Sequence, residues 1–302
     1  MGAVTGDAGA DQVADPAEEV AFSWLLDLER LDPDLFRARS PNYTGRPNLF
    51  GGQVAAQSLW AAAATSDPDH LPHSFHLYFV RPGLVGRPVL LQVQRVRDGR
   101  SFTTRNVVAS QDGEAILTMS ASFHKEEPGV ADYSPPATAV APPDEVGAEP
   151  LHRNGWASGY AALDVIRLPP ADDDDPRVPH VRSWIRFHDR LADDPVVHAC
   201  AFAYLTDTQT GSAPSLASGL ESGSYMMTSL DHALHFHRPI RADEWALVDF
   251  EPVSVGRGRG MTRGTIHAPD GRLGATVQQE LLMRALSGDR RPSAPPIPRE
   301  LL

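Results

Sequence analysis

Two continuously apolar stretches of the chain are each followed by runs in which apolar and polar residues alternate. Residues 51–64 (GGQVAAQSLWAAAA) and 196–209 (VVHACAFAYLTDTQ) are rich in small and apolar side chains, which predicts a buried helix in each. An extended segment ending at Arg-Pro follows each helix, and two or three β-rich runs come next. The pattern predicts one helix and an antiparallel meander, twice over, which is an α+β layout.

The two halves of this layout resemble each other in sequence. "HLYFVRP" (76–82) matches "ALHFHRP" (233–239) at an offset of 157 residues, and residues 103–123 match residues 261–281 at an offset of 158. Two blocks in the same order at nearly the same offset indicate a duplicated structural unit. Both halves carry Asp-Gly between β-rich runs, at 112–113 and at 270–271, and this pair predicts a type I′ hairpin turn.

Composition divides the chain into units, a linker and tails. Residues 125–150 are rich in proline and acidic residues and are predicted to be a linker between an N-terminal unit, 18–124, and a C-terminal unit, 151–286. Residues 1–17 are predicted to be a disordered tail, and residues 287–302 a flexible one.

Charge and cysteine content exclude several classes of function. The chain has 27 Lys+Arg against 39 Asp+Glu, a net charge of −12, and this acidity argues against nucleic-acid binding, which needs clustered positive charge. Cys200 is the only cysteine, so an internal disulfide and a Cys-rich zinc site are both excluded. There is no signal-peptide pattern and no apolar run of the ~20 residues that a membrane span needs. We therefore expect a cytoplasmic protein without a membrane span.

The stretch "SLDHALHFHRP" (229–239) places an aspartate and three histidines close together. In a strand, His235 and His237 share one face and His232 points to the other, and no HExxH motif accompanies them, so a metal hydrolase is not favoured. The chain also has no Gly-x-Ser-x-Gly motif, which argues against a nucleophile elbow. Read alone, Asp207 at the end of an apolar helix could be either a general base or a carboxylate bound to backbone amides.

Several motifs together carry a family resemblance. They are "RPNLFGGQVAAQSLWAA" (46–62), "LPHSFHLYFVRPG" (71–83), "VRDGRSFTTRNVVASQDG" (96–113), "SLDHALHFHRP" (229–239) and "QELLMR" (279–284). In this order they resemble the type II acyl-CoA thioesterases (TesB-like) from about Phe22 to Arg284. The resemblance implies a double hotdog fold: two tandem units, each with a long helix wrapped by a curved antiparallel β-sheet.

The resemblance also implies a reaction and a set of residues. Members of the family hydrolyse the thioester of fatty acyl-CoA with an activated water, and the matching positions here are Asp207, Ser229 and Gln279. The family usually has Gln-Glu-Gly where this chain has Gln-Glu-Leu, and the neighbouring Gln278 is an alternative for the amide. Asp231 is the alternative carboxylate if Asp207 does not serve.

The internal repeat predicts one active site in each chain. Gln279 aligns with Ala121 of the first unit, and Ser229 aligns with Pro72. The first unit therefore lacks both groups that would hold a water, and the site is expected in the second unit.

Substrate-binding candidates lie in the first unit. Gly51 and Gly52 open its helix, where glycines either let an anion reach free N–H groups or permit close packing of the helix. Gln53 and Arg81 are further candidates. However, the recurrence of Arg81 as Arg238 in the second unit favours a role in the fold, such as binding carbonyls at a strand end.

We expect acyl-CoA as the substrate, no metal or other cofactor, no nucleic-acid partner, and a homodimer or homotetramer. One alternative on the same architecture is a hydratase that adds water to an enoyl-CoA, although that chemistry usually pairs the aspartate with a histidine. Another is a catalytically silent acyl-CoA-binding protein. An assay of thiol release distinguishes hydrolysis from both alternatives.

Overall fold

The structure is a computed structural model that describes residues 21–39, 47–147, 151–153, 163–171, 174–175, 177–221 and 223–286. The tails predicted at 1–17 and 287–302 lie outside these residues. None of the helices in the described ranges is long and apolar enough to cross a membrane.

Each half of the chain contains one long helix and a set of antiparallel strands. The N-terminal half contains α1 (Phe22–Leu26), β1 (Glu29–Asp32), β2 (Leu35–Ala38), α2 (Gly51–Ala63), β3 (His70–Phe79), β4 (Val89–Asp98), β5 (Phe102–Gln111) and β6 (Glu114–Lys125). The C-terminal half contains β7 (Leu151–Arg153), β8 (Leu163–Arg167), β9 (Val181–Phe187), α3 (Pro195–Thr206), α4 (Ser212–Ser218), β10 (Tyr225–Ser229), β11 (Asp231–Phe236), β12 (Ala246–Gly256), β13 (Arg259–His267) and β14 (Leu273–Ala285). The two helices predicted from the apolar stretches are α2 and α3.

The described strands form one antiparallel sheet of fourteen, in the order β1-β2-β4-β5-β6-β3-β11-β14-β13-β12-β9-β8-β7, with β10 paired to β14. The two repeated units join where β3 pairs with β11, from Ser74 opposite His235 to Tyr78 opposite Asp231. The helices α2 and α3 pack against each other, and their buried faces belong to one apolar core shared by both units. This arrangement confirms the predicted α+β layout of two tandem helix-and-sheet units.

The Asp-Gly pairs form two different hairpin turns. Asp112 and Gly113 both have positive φ, at 51° and 82°, as a type I′ turn requires. In the second unit only Gly271 of the pair has positive φ, at 84°. Residues 268–272 connect β13 to β14, and the Ala268 N–H donates to the Arg272 carbonyl around a three-residue loop, 269–271. The type I′ prediction was therefore wrong for Asp270, because a three-residue hairpin loop needs a left-handed residue only at its end.

The segment predicted to be a linker lies against the C-terminal half. Residues 126–147 contain no helix or strand, and they begin directly after β6. Trp184 Nε1 donates a hydrogen bond to the Ala141 carbonyl, and Thr138 Oγ1 donates one to Asp249. The described part of the segment is therefore fixed to the sheet, while the domain boundaries themselves stay a prediction.

A buried arginine holds the chain where α2 ends. Arg105 is 1% exposed, and its guanidinium donates to the Thr65 hydroxyl and carbonyl and to the Arg97 carbonyl, and pairs with Asp98. Because all of these acceptors surround one buried cation, removing any large part of the guanidinium leaves buried oxygens without a donor.

Replacing Arg105 with methionine should lower the free energy of unfolding by about 1–3 kcal/mol, because the buried Thr65 carbonyl and hydroxyl lose their donor. The repeat supplies a matched control: Arg263 aligns with Arg105 but is exposed and pairs with Glu251. Arg263→Met should change the free energy of unfolding by less than about 1 kcal/mol. Urea titrations of the two variants measure this difference, and equal losses would contradict the assigned role of Arg105.

Candidate active site

The site begins at the carboxyl end of α3. This helix starts at Pro195, and the Asp194 carboxylate caps it by accepting the Val196 N–H at 2.8 Å. Residues 196–209 were predicted to be helical, but α3 ends at Thr206 and Asp207 is its C-cap. The carboxylate is therefore presented at the helix end and not along its side.

The three residues implied by the family resemblance come together here, from three separate elements. Gln279, in β14, donates from Nε2 to Asp207 Oδ1 at 3.0 Å and to Ser229 Oγ at 2.6 Å. Ser229, the last residue of β10, donates from its hydroxyl to Asp207 Oδ1 at 3.3 Å. Asp207 thus accepts two side-chain hydrogen bonds at one carboxylate oxygen.

Of the two neighbouring glutamines, Gln279 faces this site. Gln279 is 1% exposed and bonds Asp207, whereas Gln278 is exposed. Gln278 lines a cavity of about 460 Å³ together with His235 and Asp249. The strand alternation that separates adjacent side chains excludes Gln278 from the Asp207 cluster.

Asp207 has a raised pKa. The residue is half-buried at the end of α3, and the burial of its carboxyl group raises the pKa to about 6 because the charged form loses hydration. Hydrogen bonds from Gln279, the Gly52 N–H and Ser229 oppose this rise, since they stabilise the carboxylate. The carboxylate is consequently the main form at neutral pH, yet its pKa is close enough to neutrality for proton transfer.

The amino end of α2 meets Asp207 across the boundary between the units. The Gly52 N–H donates to Asp207, and a Cβ placed on Gly51 would lie 2.8 Å from Asp207 Oδ2. A Cβ on Gly52 would lie 2.4 Å from the Tyr204 carbonyl oxygen, so close packing of α2 on α3 requires glycine there. Both earlier interpretations of the glycines thus have a structural basis, and contact with substrate stays a prediction.

Gln53 is turned towards the segment that precedes α2. Its Nε2 atom lies 3.4 Å from the Arg39 carbonyl oxygen, and Gln57 reaches the same carbonyl at 3.3 Å. Both glutamines are fully buried. In the described residues Gln53 therefore holds the chain, and its contact with substrate stays a prediction.

Arg81 and Arg238 make the same kind of contact in the two units. Arg81 donates to the Ala115 carbonyl at 3.0 Å and pairs with Glu114 at 2.9 Å. Arg238 donates to the Leu273 carbonyl at 3.4 Å. Each arginine thus binds a carbonyl at the start of a strand, which supports the predicted role in the fold. Substrate contact by Arg81 stays a prediction.

Asp231 serves the sheet. Its Oδ1 accepts the Glu280 N–H at 2.6 Å, and its Oδ2 lies 3.0 Å from His76 Nε2. This carboxylate therefore anchors a neighbouring backbone amide of the sheet. Within the part of the chain that the structure describes, the hydrogen bonds of the Asp231 carboxylate go to Glu280 and His76 and not to the side chains of Ser229 or Gln279.

His232 is the member of the cluster that the sequence analysis missed. The predicted faces are right, since His232 is fully buried while His235 and His237 are exposed. The buried ring contacts Gln279 Oε1 through Nδ1 and lies 2.9 Å from Thr206 Oγ1 through Nε2. Its position on the opposite face was the available signal, but His232 and Gln279 are 47 positions apart in sequence, so the sequence did not indicate that they are in contact.

Comparisons with known proteins agree with this architecture. Residues 39–124 match the family described as "Acyl-CoA thioesterase N-terminal domain", and residues 133–283 match "Acyl-CoA thioesterase C-terminal domain". Human acyl-coenzyme A thioesterase 8 is 33% identical over 285 residues, covering 88% of this chain and 89% of that protein.

The following two are among the solved structures that are similar to the chain. Acyl-CoA thioesterase II TesB2 from Mycobacterium marinum is 38% identical, with a TM-score of 0.77 over 89% of this chain and all of that one. A hot dog fold protein of unknown function from Alicyclobacillus acidocaldarius has a TM-score of 0.70 at 20% identity, over 88% of this chain and 98% of that one. The second likeness concerns the fold alone.

Proposed function

Because this chain belongs to the family of type II acyl-CoA thioesterases, we propose that Asp207, Ser229 and Gln279 activate the water with which it hydrolyses the thioester of fatty acyl-CoA. One observation carries the proposal: these side chains, far apart in sequence, bond one another around a single carboxylate. The first unit has proline and alanine at the positions of Ser229 and Gln279, which supports one such site in each chain.

In the proposed reaction Asp207 acts as a general base. Its carboxylate takes a proton from water as the water oxygen attacks the thioester carbonyl carbon. The carbon–sulfur bond then breaks, and the CoA sulfur leaves and receives the proton that Asp207 took from water. The products are a free acid and the CoA thiol, and Asp207 is a carboxylate again. Ser229 and Gln279 hold the base and the water in a fixed geometry, so that little reorganisation is needed as the reaction proceeds.

The amino end of α2 is suited to the negative charge of the reaction. The N–H groups of a helix's first turn have no acceptors within the helix, and the helix dipole favours an anion there. Gly52 already donates its N–H to Asp207. We assign to the Gly51 N–H, one residue earlier, the developing oxyanion of the thioester carbonyl.

The pKa of Asp207 predicts the pH dependence of the rate. The value of kcat/KM should fall tenfold per pH unit below about pH 6, because the protonated acid cannot accept a proton from water. Gln279→Ala should move this limb to higher pH in the residual activity, since it removes a donor that lowers the pKa. The rate of thioester loss, followed from pH 4.5 to 8, gives the acid limb of the unmodified protein and that of the variant.

Gln278→Ala is the matched control for the pH profile, because Gln278 is exposed on the other face of β14. Its limb should coincide with that of the unmodified protein. A rate that stays constant down to pH 4.5 would refute Asp207 as the base.

The hydratase alternative lacks support at Asp207. Among the described residues, the groups that bond this carboxylate are Gln279, Ser229 and the Gly52 N–H, and His232 contacts Gln279 instead. A panel of acyl-CoAs distinguishes the functions. Thiol release supports hydrolysis, loss of the enoyl absorbance supports hydration, and neither change supports a silent binding protein. The same panel reports the preferred acyl chain length.

Two further expectations stay predictions. They are a cytoplasmic location and assembly into a homodimer or homotetramer. Light scattering on the purified protein measures the assembly, and a monomer at micromolar concentration would contradict it.

A further inference from the structure

We propose that His232 is a positioning residue that fixes the orientation of the Gln279 amide, so that its NH₂ group faces Asp207 and Ser229. The inference rests on the proposed function, because the Gln279 amide matters for turnover only if Asp207 and Ser229 form the site. His232 acts through Gln279 and has no contact with Asp207 among those described for that carboxylate.

The ring of His232 is completely enclosed. It is 0% exposed, its Nδ1 contacts Gln279 Oε1, and its Nε2 lies 2.9 Å from Thr206 Oγ1. One side of the ring packs on the Phe75 ring, with the ring centroids 5.9 Å apart. A ring held at both nitrogens and on a face has little freedom to turn, so it can act as a fixed support for Gln279.

The amide of Gln279 has two possible orientations, and only one suits an ionised Asp207. With Nε2 towards the site, the NH₂ group donates one hydrogen to Asp207 and the other to Ser229. The reverse orientation would place the amide oxygen against the carboxylate, and two acceptors repel each other. The group that contacts Oε1 therefore determines how strongly the orientation with Nε2 towards Asp207 is favoured.

A neutral His232 with its proton on Nδ1 is the form that holds this orientation. Nδ1–H then donates to Gln279 Oε1, and Nε2 accepts the hydrogen of the Thr206 hydroxyl. The opposite tautomer would turn a lone pair towards Oε1 and favour the reversed amide. The Thr206 hydroxyl has one hydrogen and also reaches the Phe202 carbonyl oxygen, to which it donates at 2.7 Å. When His232 carries its proton on Nδ1, the hydroxyl turns this hydrogen from the Phe202 carbonyl to Nε2, because Nε2 then has no proton of its own to donate to the Thr206 oxygen.

The surroundings keep His232 uncharged. Burial lowers its pKa to about 4 and outweighs the opposing effects of the Gln279 hydrogen bond and the Asp231 charge, while His76 lowers the pKa further. Gln279 belongs to β14, Asp231 to β11 and His76 to β3. The remaining hydrogen-bond partner, Thr206 of α3, is uncharged and adds no charge of its own. His232 therefore keeps one proton throughout the range in which Asp207 ionises.

The internal repeat gives an independent observation. The positions of His232 and Gln279 correspond to Phe75 and Ala121 in the first unit, which are paired across neighbouring strands and buried. The unit without the glutamine also lacks the histidine. The fold thus accommodates an aromatic apolar residue at the histidine position, so a histidine is not required there for folding.

This observation supplies the test. His232→Phe, which copies the first unit, should lower kcat by a factor on the order of 10–100, because a misplaced catalytic group loses rate steeply, while KM changes less than about threefold. Its acid limb should move above pH 6, since the Gln279 bond that lowers the Asp207 pKa is weakened. His232→Asn, whose amide nitrogen can replace Nδ1–H, should stay within about fivefold of the original kcat.

His235→Phe is the matched control, because His235 belongs to the same strand but is exposed on the other face. It should leave kcat and the acid limb unchanged. A merely structural role for His232 would lower stability without moving the acid limb and without rescue by asparagine.

The outcomes separate the two claims. If Asp207→Asn abolishes thiol release while His232→Phe keeps the original kcat and acid limb, the inference about His232 fails and the proposed function stands. If Asp207→Asn is fully active, the proposed function itself fails. Should His232→Phe not fold, nitrogen NMR of the unmodified protein decides. An Nδ1–H ring that does not titrate between pH 5 and 8 supports the inference, and an Nε2–H or titrating ring overturns it.

Discussion

Asp207→Asn should lower kcat for thioester hydrolysis by a factor on the order of 10³. Asparagine has nearly the same shape and keeps an oxygen that can accept the hydrogen bonds of Ser229 and Gln279. It cannot take a proton from water, so the variant removes the base while it keeps one acceptor oxygen at the site. Thiol release from a saturating acyl-CoA at pH 7.5 measures the effect.

The thermal stability of Asp207→Asn shows whether a loss of activity comes from the missing base or from unfolding. Because burial raises the pKa of Asp207, the folded state is penalised for the carboxylate as pH rises from about 4 to 6, and the full penalty persists above pH 6. A neutral asparagine avoids it. Asp207→Asn should therefore melt no lower than the unmodified protein at pH 7.5, and any gain should vanish below about pH 4.

Asp231→Asn is the matched carboxylate control. Asp231 accepts the Glu280 N–H and contacts His76, and neither of these partners takes part in the proposed chemistry. This variant should keep most of its activity. The opposite result, an active Asp207→Asn and an inactive Asp231→Asn, would transfer the base to Asp231.

Gly52→Ala should be the second most damaging substitution. Its Cβ would lie 2.4 Å from the Tyr204 carbonyl oxygen and 2.6 Å from the Phe50 ring. The carbonyl belongs to the main chain of α3, so it cannot rotate away, and α2 has to move. We expect about 1–3 kcal/mol less stability from overpacking, and a fall in kcat on the order of 10² because the Gly52 N–H leaves Asp207.

Gly256→Ala provides a glycine control in β12, where no atom lies within 4 Å of an added Cβ. Urea titration and thiol release on both variants test the expectation. If Gly52→Ala is as stable and as active as the original protein, the close contact between α2 and α3 does not organise the site. Equal losses in Gly256→Ala would point to a general effect of replacing glycine.

The sequence predicted the two repeated units, and its family resemblance implied the cluster of Asp207, Ser229 and Gln279. Duplication was visible because Arg-Pro and the two matching blocks recur at nearly constant offsets, and the paired halves of the sheet follow it. The family resemblance favoured Gln279 but left Gln278 open, and the contact of Gln279 with Asp207 in the structure distinguishes the two. The convergence of Asp207, Ser229 and Gln279 was implied by the resemblance alone, since spacing could not bring such distant residues together.

Other features depended on contacts that a linear pattern does not contain. The strands β1 and β2 have four residues each, too short for a recognisable alternation. The proline-rich segment 126–147 resembled a spacer, yet Trp184 and Asp249 bind it to the sheet. His232 was correctly placed on the inner face, but its role depends on a partner from another strand.

The central claim is that water, held at Asp207, attacks the thioester directly. The Ser229 hydroxyl donates to Asp207, which is also how a nucleophilic serine and its base would be arranged. A single turnover with enzyme in excess, in water labelled with oxygen-18 and quenched at successive times, tests the claim by mass spectrometry. It predicts a fatty acid carrying one heavy oxygen and no acylated protein at any time, whereas an acyl group on Ser229 or an unlabelled acid would contradict it.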